Sequence, residues 1–345
     1  MKLRPFNGFV QAPRPSVILR IMALRRMFAD QPLQVSKLPS FRAEHFPDSG
    51  PYPWLDEPDA LDRIDRKLSA GALTPQEAGQ CRYWAANGYI ILERLIDDSV
   101  LDDVWDAYES VMRSGKIQLL PEPAGEGDPY PGRYLNPHKK AARFCRILKH
   151  AGLLHWLRVL MDRDPKVLQT IASHKGSQQG VHSDSIHMTT YPLGYLAAAW
   201  IAFEDIHSDS GPLVYYPGSH RLPFVFSQDV GISESDFQRD GYGAYQAKYE
   251  PRIRQLIDEH GLQPQYFHAR KGDVLIWHAN LLHGGSMRRD LRLSRKAVVC
   301  HFFGKGAFVY HDLAAARSRQ QYMGTCILRD NSGGFRGIGR SRARR

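Results

Sequence analysis

Residues 196–218 read LAAAWIAFEDIHSDSGPLVYYPG, two short apolar runs divided by a cluster of Glu, Asp, Ser, Gly and Pro. Neither run carries its apolar residues at helical spacing, and the divider has the composition of a turn. The same texture recurs on both sides, as VLQTIAS at 167–173, DVLIWHA at 273–279 and KAVVCHFF at 296–303. Short strands at regular intervals, with no helical pattern between them except in an insert around 233–260, predict an all-β sandwich or barrel from about residue 167 onward.

The preceding region reads differently. Thr74-Pro75-Gln76-Glu77 is a helix start, with a threonine cap, proline at the first helical position and acid in the first turn. That helix is predicted to reach about Asn87, stop at Gly88, and lead into the strand YIILERL at 89–95. A second helix begins near Asp98 or Ser99, with Leu101, Val104, Tyr108, Val111 and Met112 at helical spacing, and HAGLLHWLRVLM at 150–161 is a third. The expected organisation has three parts. Residues 1–70 are an irregular proline-rich extension, 71–330 a mainly β domain under a helical N-terminal layer, and 331–345 a basic Gly/Arg tail. Within the extension, SVILRIMALRRMF at 16–28 has the pattern of a basic amphipathic helix, read as a packing helix with a membrane anchor as the alternative.

Composition narrows the class. A chain of 345 residues, 43% hydrophobic and 24% charged, is that of a globular protein with a substantial core, and no apolar run is long enough for a transmembrane helix. Cys81, Cys145, Cys300 and Cys326 are scattered without a C-x-x-C pair, which predicts reduced thiols and a cytoplasmic location. The net charge of +10 is concentrated at the end, where Arg336, Arg340, Arg342, Arg344 and Arg345 lie among glycines. Such a tail is a flexible basic segment, or a point of peripheral attraction to an anionic membrane or lipid-linked substrate. Without a recognition motif, no nucleic-acid partner is expected, and oligomeric state is not legible.

The chemistry-bearing residues gather in GVHSDSIH at 180–187 and WHANLLHGGS at 277–286. On a strand His182 and Asp184 leave the same face. With His283, at the end of another apolar strand, they make two imidazoles and one carboxylate. That donor set leaves three adjacent positions open on an octahedral metal, as iron(II) needs for a chelating co-substrate and dioxygen. A structural zinc site is closed by four ligands instead. Arg295 opens the strand after His283, and an arginine inside a sandwich calls for a carboxylate partner. A dicarboxylate that chelates the metal at its other end supplies one.

These motifs together resemble the phytanoyl-CoA dioxygenase family of iron(II)/2-oxoglutarate oxygenases. The matching stretches are YWAANGYIILERLI, QQGVHSD, AAAWIAFEDIHSDSGPLVYYPGSHR, KGDVLIWHANLLHGGS and SRKAVVCHFF, in that order over roughly residues 75–305. The resemblance implies a double-stranded β-helix, that is, a cupin-like jelly roll. It implies Fe(II), 2-oxoglutarate and O2 as cofactor and co-substrates, and release of succinate and CO2. His182, Asp184 and His283 become the iron ligands and Arg295 the partner of the far carboxylate. Trp200, Ser286 and Gln179 become lining residues of the co-substrate pocket. HGGSMRRDLRLSR is one residue longer than the usual spacing from distal histidine to arginine, which leaves Ser286, and Arg292 as a rival to Arg295, open. Asp184 argues for hydroxylation, because halogenating relatives carry a small residue there.

The substrate is expected to be a small molecule with an unactivated carbon, and acidic, lipid-linked or sugar-linked chemistry is compatible with the basic chain. Regions 113–140 and 223–268 are the expected lid loops. His220 is read as a structural hydrogen-bonder. His187, on a strand, points away from His182, and lines the substrate mouth only if that strand ends early. His174 and Lys175 are further candidates for facing the substrate. The alternative to an oxygenase is a non-oxidative, cupin-like metal- or small-molecule-binding protein.

Overall fold

The structure is a computed structural model and describes residues 42–46, 50–115, 119–120 and 127–314. The predicted helix at 16–28, Cys326 and the basic tail at 331–345 lie outside the described residues.

The helical layer forms where the sequence signals it. In the helix Pro75–Asn87 the Thr74 hydroxyl accepts from the Glu77 amide at 3.2 Å, and the Glu77 carboxylate accepts from the Thr74 amide at 2.7 Å. This reciprocal cap satisfies two N–H groups that the first turn cannot. Gly88 ends the helix at φ 79°, and a Cβ there would stand 2.5 Å from the His220 ring, so glycine is needed for conformation and for space alike. Helices at Asp98–Arg113 and Ala151–Met161 follow. Residues 60–69, assigned from the sequence to the irregular extension, instead form the helix Ala60–Ser69, which buries Ala60 and Ile64.

Eleven strands follow among the described residues: β1 (Tyr89–Leu92), β2 (Tyr134–Leu135), β3 (Pro165–Ser173), β4 (Thr189–Tyr191), β5 (Leu196–Ala202), β6 (Leu213–Tyr215), β7 (Gln265–Phe267), β8 (Val274–His278), β9 (His283–Gly285), β10 (Ala297–Gly304) and β11 (Phe308–Tyr310). They build a six-stranded sheet in the order β1-β8-β5-β10-β3-β2, a three-stranded sheet β7-β6-β9 and a pair β11-β4, all antiparallel. Two antiparallel sheets facing one another through a side-chain core are the jelly-roll arrangement that the motifs imply.

The opening stretch explains itself in this frame. In β5, Ala198, Trp200 and Ala202 pack inward with Leu213, Phe267, Leu275 and Trp277. Ala197, Ala199 and Ile201 pack outward with Val274, Ile276, Trp84, Leu101 and Leu157, under the helices. A strand covered on both faces has no place for a polar residue, so it reads as an unbroken apolar run.

The insert expected as a lid contains the helices Glu234–Asp240 and Glu250–Glu259, joined through a π-helical turn at Tyr245–Tyr249. Its apolar side packs with Ile186, Leu282 and Leu313, at one end of the sandwich.

Candidate metal centre

His182 and His283 come together through a backbone bridge. Each amide donates to the other residue's carbonyl at 2.9 Å, which sets the two rings 4.6 Å apart. Each Nδ1 donates to a carbonyl two residues earlier, His182 to Gly180 at 2.8 Å and His283 to Leu281 at 2.9 Å. A carbonyl only accepts, so both protons sit on Nδ1 and both Nε2 atoms present lone pairs. Asp184 is the third member. Its Oδ2 accepts from the Trp277 indole N–H at 2.8 Å, and its Oδ1 lies 3.8 Å from His283 Nε2. One ligand atom from each of the three lies within 4.8 Å of the others, and all three residues are buried.

Burial pushes the His182 imidazole down to about 3, with the facing His283 ring adding to the effect, and burial lowers His283 as well. Burial alone would raise the Asp184 carboxyl, but the His301 and His283 imidazoles facing it hold it well below the usual range. At neutral pH the centre is therefore two neutral imidazoles and a carboxylate, the protonation state a divalent metal requires. The donor set, its burial and the two fixed tautomers fit a metal with three protein ligands.

The local route differs from the sequence expectation. His182 takes part only in an isolated bridge, and Asp184 opens a 3-10 turn at Asp184–Ile186. The two side chains converge because the chain turns, not because they share a pleated face. The same turn brings His187 back, so that its ring lies 5.7 Å from that of His182, and the opposite-face prediction fails. Ser183 does turn away, to the Tyr249 hydroxyl at 3.3–3.4 Å.

The expected co-substrate residues divide. Arg295 is buried, donates from Nη1 to the Gly211 carbonyl at 3.0 Å and lies 5.6 Å from the Trp200 ring. Ser286 donates to the Pro212 carbonyl at 2.7 Å, so both side chains meet the same turn. Arg292 is 88% exposed and is held by Asp290 at 2.8 Å, which leaves Arg295 as the interior guanidinium of the two. In the turn between them Arg288 folds inward and is buried. Gln179 sits beside His182, its amide nitrogen 3.3 Å from His182 Nε2, and its oxygen accepts from Arg133 at 2.8 Å. His220 stands against Gly88 and His278, apart from the triad. His174 contacts Glu109 at 2.6 Å and packs on Trp105 and Tyr108, a structural position.

Four residues escaped the sequence reading. Trp277 orients Asp184. His301 Nε2 lies 3.6 Å from Asp184 Oδ1. Its signal was available, because residues 295, 297, 299 and 301 share one strand face and Arg295 had been placed inside. Asp128 and Arg288 form a buried ion pair at 2.6 Å that Lys175 joins at 2.8 Å, so Lys175 is tied to Asp128, and no sequence pattern marks the pairing.

Known proteins now give this geometry a context. The human peroxisomal phytanoyl-CoA dioxygenase is 21% identical over 251 residues, 65% of this chain and 67% of that protein. The ectoine dioxygenase of Halomonas elongata is 29% identical over 158 residues, 43% of this chain and 46% of that enzyme. Among solved structures, EctD from S. alaskensis superposes with a TM-score of 0.55 at 18% identity, over 75% of this chain and 86% of that one, which supports the jelly-roll fold. The sequence model of the phytanoyl-CoA dioxygenase (PhyH) family matches residues 84–297, and that span contains His182, Asp184, His283 and Arg295. The chain therefore belongs to the phytanoyl-CoA dioxygenase family, the one its motifs resemble.

Proposed function

We propose that this protein is an iron(II)- and 2-oxoglutarate-dependent oxygenase that hydroxylates an unactivated carbon of a small molecule. The observation that carries the reading is the convergence of two Nε2 lone pairs and one carboxylate oxygen in a buried centre with three protein donors. EctD is known both with bound Fe and with 2-oxoglutarate and 5-hydroxyectoine, which supports the same pairing of cofactor and co-substrate here.

Iron(II) bound by His182, Asp184 and His283 would supply the oxidising chemistry, in which dioxygen gives one atom to the substrate and one to succinate as CO2 leaves. The chain's own part is positioning. The Gly180 and Leu281 carbonyls hold each imidazole with its lone pair facing the centre, and the Trp277 N–H stops the Asp184 carboxylate from rotating away. Arg295 offers a planar fork to the far carboxylate of 2-oxoglutarate, with Trp200 packed beside it and Ser286 fixing the adjoining turn. The inward faces of β5 and β8 keep this end of the sandwich dry, which strengthens each of these contacts. Asp184 favours hydroxylation over halogenation, because the carboxylate takes the position a halide would need.

Metal binding tests the assignment directly. Competition titration against a chelator is expected to give one iron(II) per chain, with His182→Ala and His283→Ala each reducing the stoichiometry to near zero. Full metal occupancy in both folded variants would refute it.

A further inference from the structure

Four buried polar atoms near the triad have no hydrogen-bond partner among the described residues: Nδ1 of His301, whose Nε2 faces Asp184, and three that lie side by side, both ring nitrogens of His187 and the hydroxyl of Tyr245. The two rings are 5.2 Å apart, and His187 is 5.7 Å from His182. The polar groups packed behind them on the neighbouring helix and strand end are engaged. The Tyr249 hydroxyl is engaged by Ser183, His311 Nδ1 accepts from the Ala314 amide at 3.1 Å, and Asp312 accepts from Ser227 and Ala43. Unsatisfied buried polar groups are uncommon and costly, and three side by side call for a common cause.

We infer that His187 and Tyr245 form the substrate-recognition end of this centre, and that the group they take is a hydroxyl on a neutral molecule, next to the carbon that is oxidised. This rests on the oxygenase reading and adds the substrate class to it. A neutral imidazole offers one N–H and one lone pair, and a phenol offers one of each. A hydroxyl, which both donates and accepts, complements one ring nitrogen together with the phenol, and the nitrogen on the opposite edge of the imidazole would take a second such group, as a polyol supplies. A carboxylate or phosphate would meet the imidazole lone pair with its own, and an acyl chain would leave all three atoms unsatisfied.

The rings packed on His187 carry no fixed charge, being those of His182, Tyr242, Tyr245 and His311. The buried cations Arg295, Arg288 and Lys175 contact other residues, at Gly211 and Asp128. The site thus has a cationic side suited to a dicarboxylate, while the His187–Tyr245 side carries no cation among these rings and has the Glu250 carboxylate nearby, against Gly180, which disfavours an anion there. The Tyr242 and Tyr245 rings, 5.9 Å apart, add aromatic surface for the C–H face of a polyol or glycoside.

The test uses full-length, iron-loaded protein and a panel of neutral polyols and glycosides, each beside its deoxy analogue, with phytanoyl-CoA and ectoine as acyl and zwitterionic comparators. At least one hydroxylated neutral compound is expected to stimulate 2-oxoglutarate consumption, with about a tenfold or greater loss on removing a single hydroxyl. In Tyr245→Phe and His187→Phe that discrimination should collapse, while the melting temperature of the ligand-free protein stays level or rises, because none of these polar atoms has a partner among the described residues. Stimulation confined to the acyl and charged compounds, or no stimulation by any neutral hydroxylated compound, overturns the inference. So does discrimination that persists in both variants. Melting shifts of the zinc-loaded protein with the same panel test hydroxyl recognition without turnover. Failure of the oxygenase reading then shows as absent succinate, while the recognition by His187 and Tyr245 is judged on those shifts.

Discussion

The indole of Trp277 makes the contact through which the centre is most easily weakened without touching a ligand. Its N–H donates to Asp184 Oδ2 at 2.8 Å between two residues that are 1% and 3% exposed. A buried hydrogen bond to a charged acceptor contributes about 1.5–3 kcal/mol. At about 1.4 kcal/mol per factor of ten, Trp277→Phe should weaken iron(II) binding roughly 10- to 100-fold, the range typical for partners that orient a metal ligand. The smaller ring also leaves a void beside Leu275 and Trp200, costing about 1–3 kcal/mol of stability by itself. Affinity and stability must therefore be read separately, by chelator competition under anaerobic conditions and by melting of the metal-free protein. Leu275→Ala is the control. It lies on the same inward face of β8, and should lower the melting temperature with little effect on iron affinity. Iron binding by Trp277→Phe within about twofold of the parent, or an equal loss in Leu275→Ala, would refute the claim that the indole orients the carboxylate.

Three further outcomes follow from the same geometry. Arg295→Ala should raise KM for 2-oxoglutarate by about 30-fold or more, with partial recovery in Arg295→Lys, whereas Arg292→Ala should stay within about twofold because that residue is exposed. Burial would raise the Asp128 carboxyl, but Arg288 and Lys175 outweigh it and hold its pKa at about 2, against an ordinary 3.8. The stability this contributes is complete above about pH 4 and is lost as pH falls through about 2, so Asp128→Asn should flatten the acid limb of the stability curve. It should also cost about 3–5 kcal/mol at pH 7 by leaving Lys175 and Arg288 buried beside a neutral group, as denaturant titration would show. Gly88→Ala should destabilise by more than the roughly 1–2 kcal/mol of a left-handed alanine, since its methyl meets the His220 ring, and a His220→Ala background should remove the excess in thermal melts.

Much of this was written in local sequence, and what was not has a physical reason. The jelly-roll strands were legible because β5, β8 and β10 are covered on both faces, which leaves unbroken apolar runs between turn clusters. Thr74, Pro75 and Glu77 announced their helix because capping is chemistry within one turn. His182, Asp184 and His283 were legible as a set, while the 3-10 turn that unites them was not. Three residues of backbone conformation decided the position of His187, and no side-chain period records such a turn. Trp277 and His301 act across the sandwich on a residue about a hundred positions away, so only the folded sheet order brings them to Asp184. The Asp128–Arg288–Lys175 cluster joins three separate loops and leaves no pattern in any of them.

The central claim is that His182, Asp184 and His283 support iron-dependent oxidation of 2-oxoglutarate. The most direct measurement is succinate formed from 2-oxoglutarate by the anaerobically loaded protein on admission of dioxygen. The account predicts succinate and CO2 in equal amounts, dependent on iron(II), and abolished by Asp184→Ala with the fold intact. Succinate at the parent level in Asp184→Ala, or none from a parent protein carrying one iron(II) per chain, would contradict it.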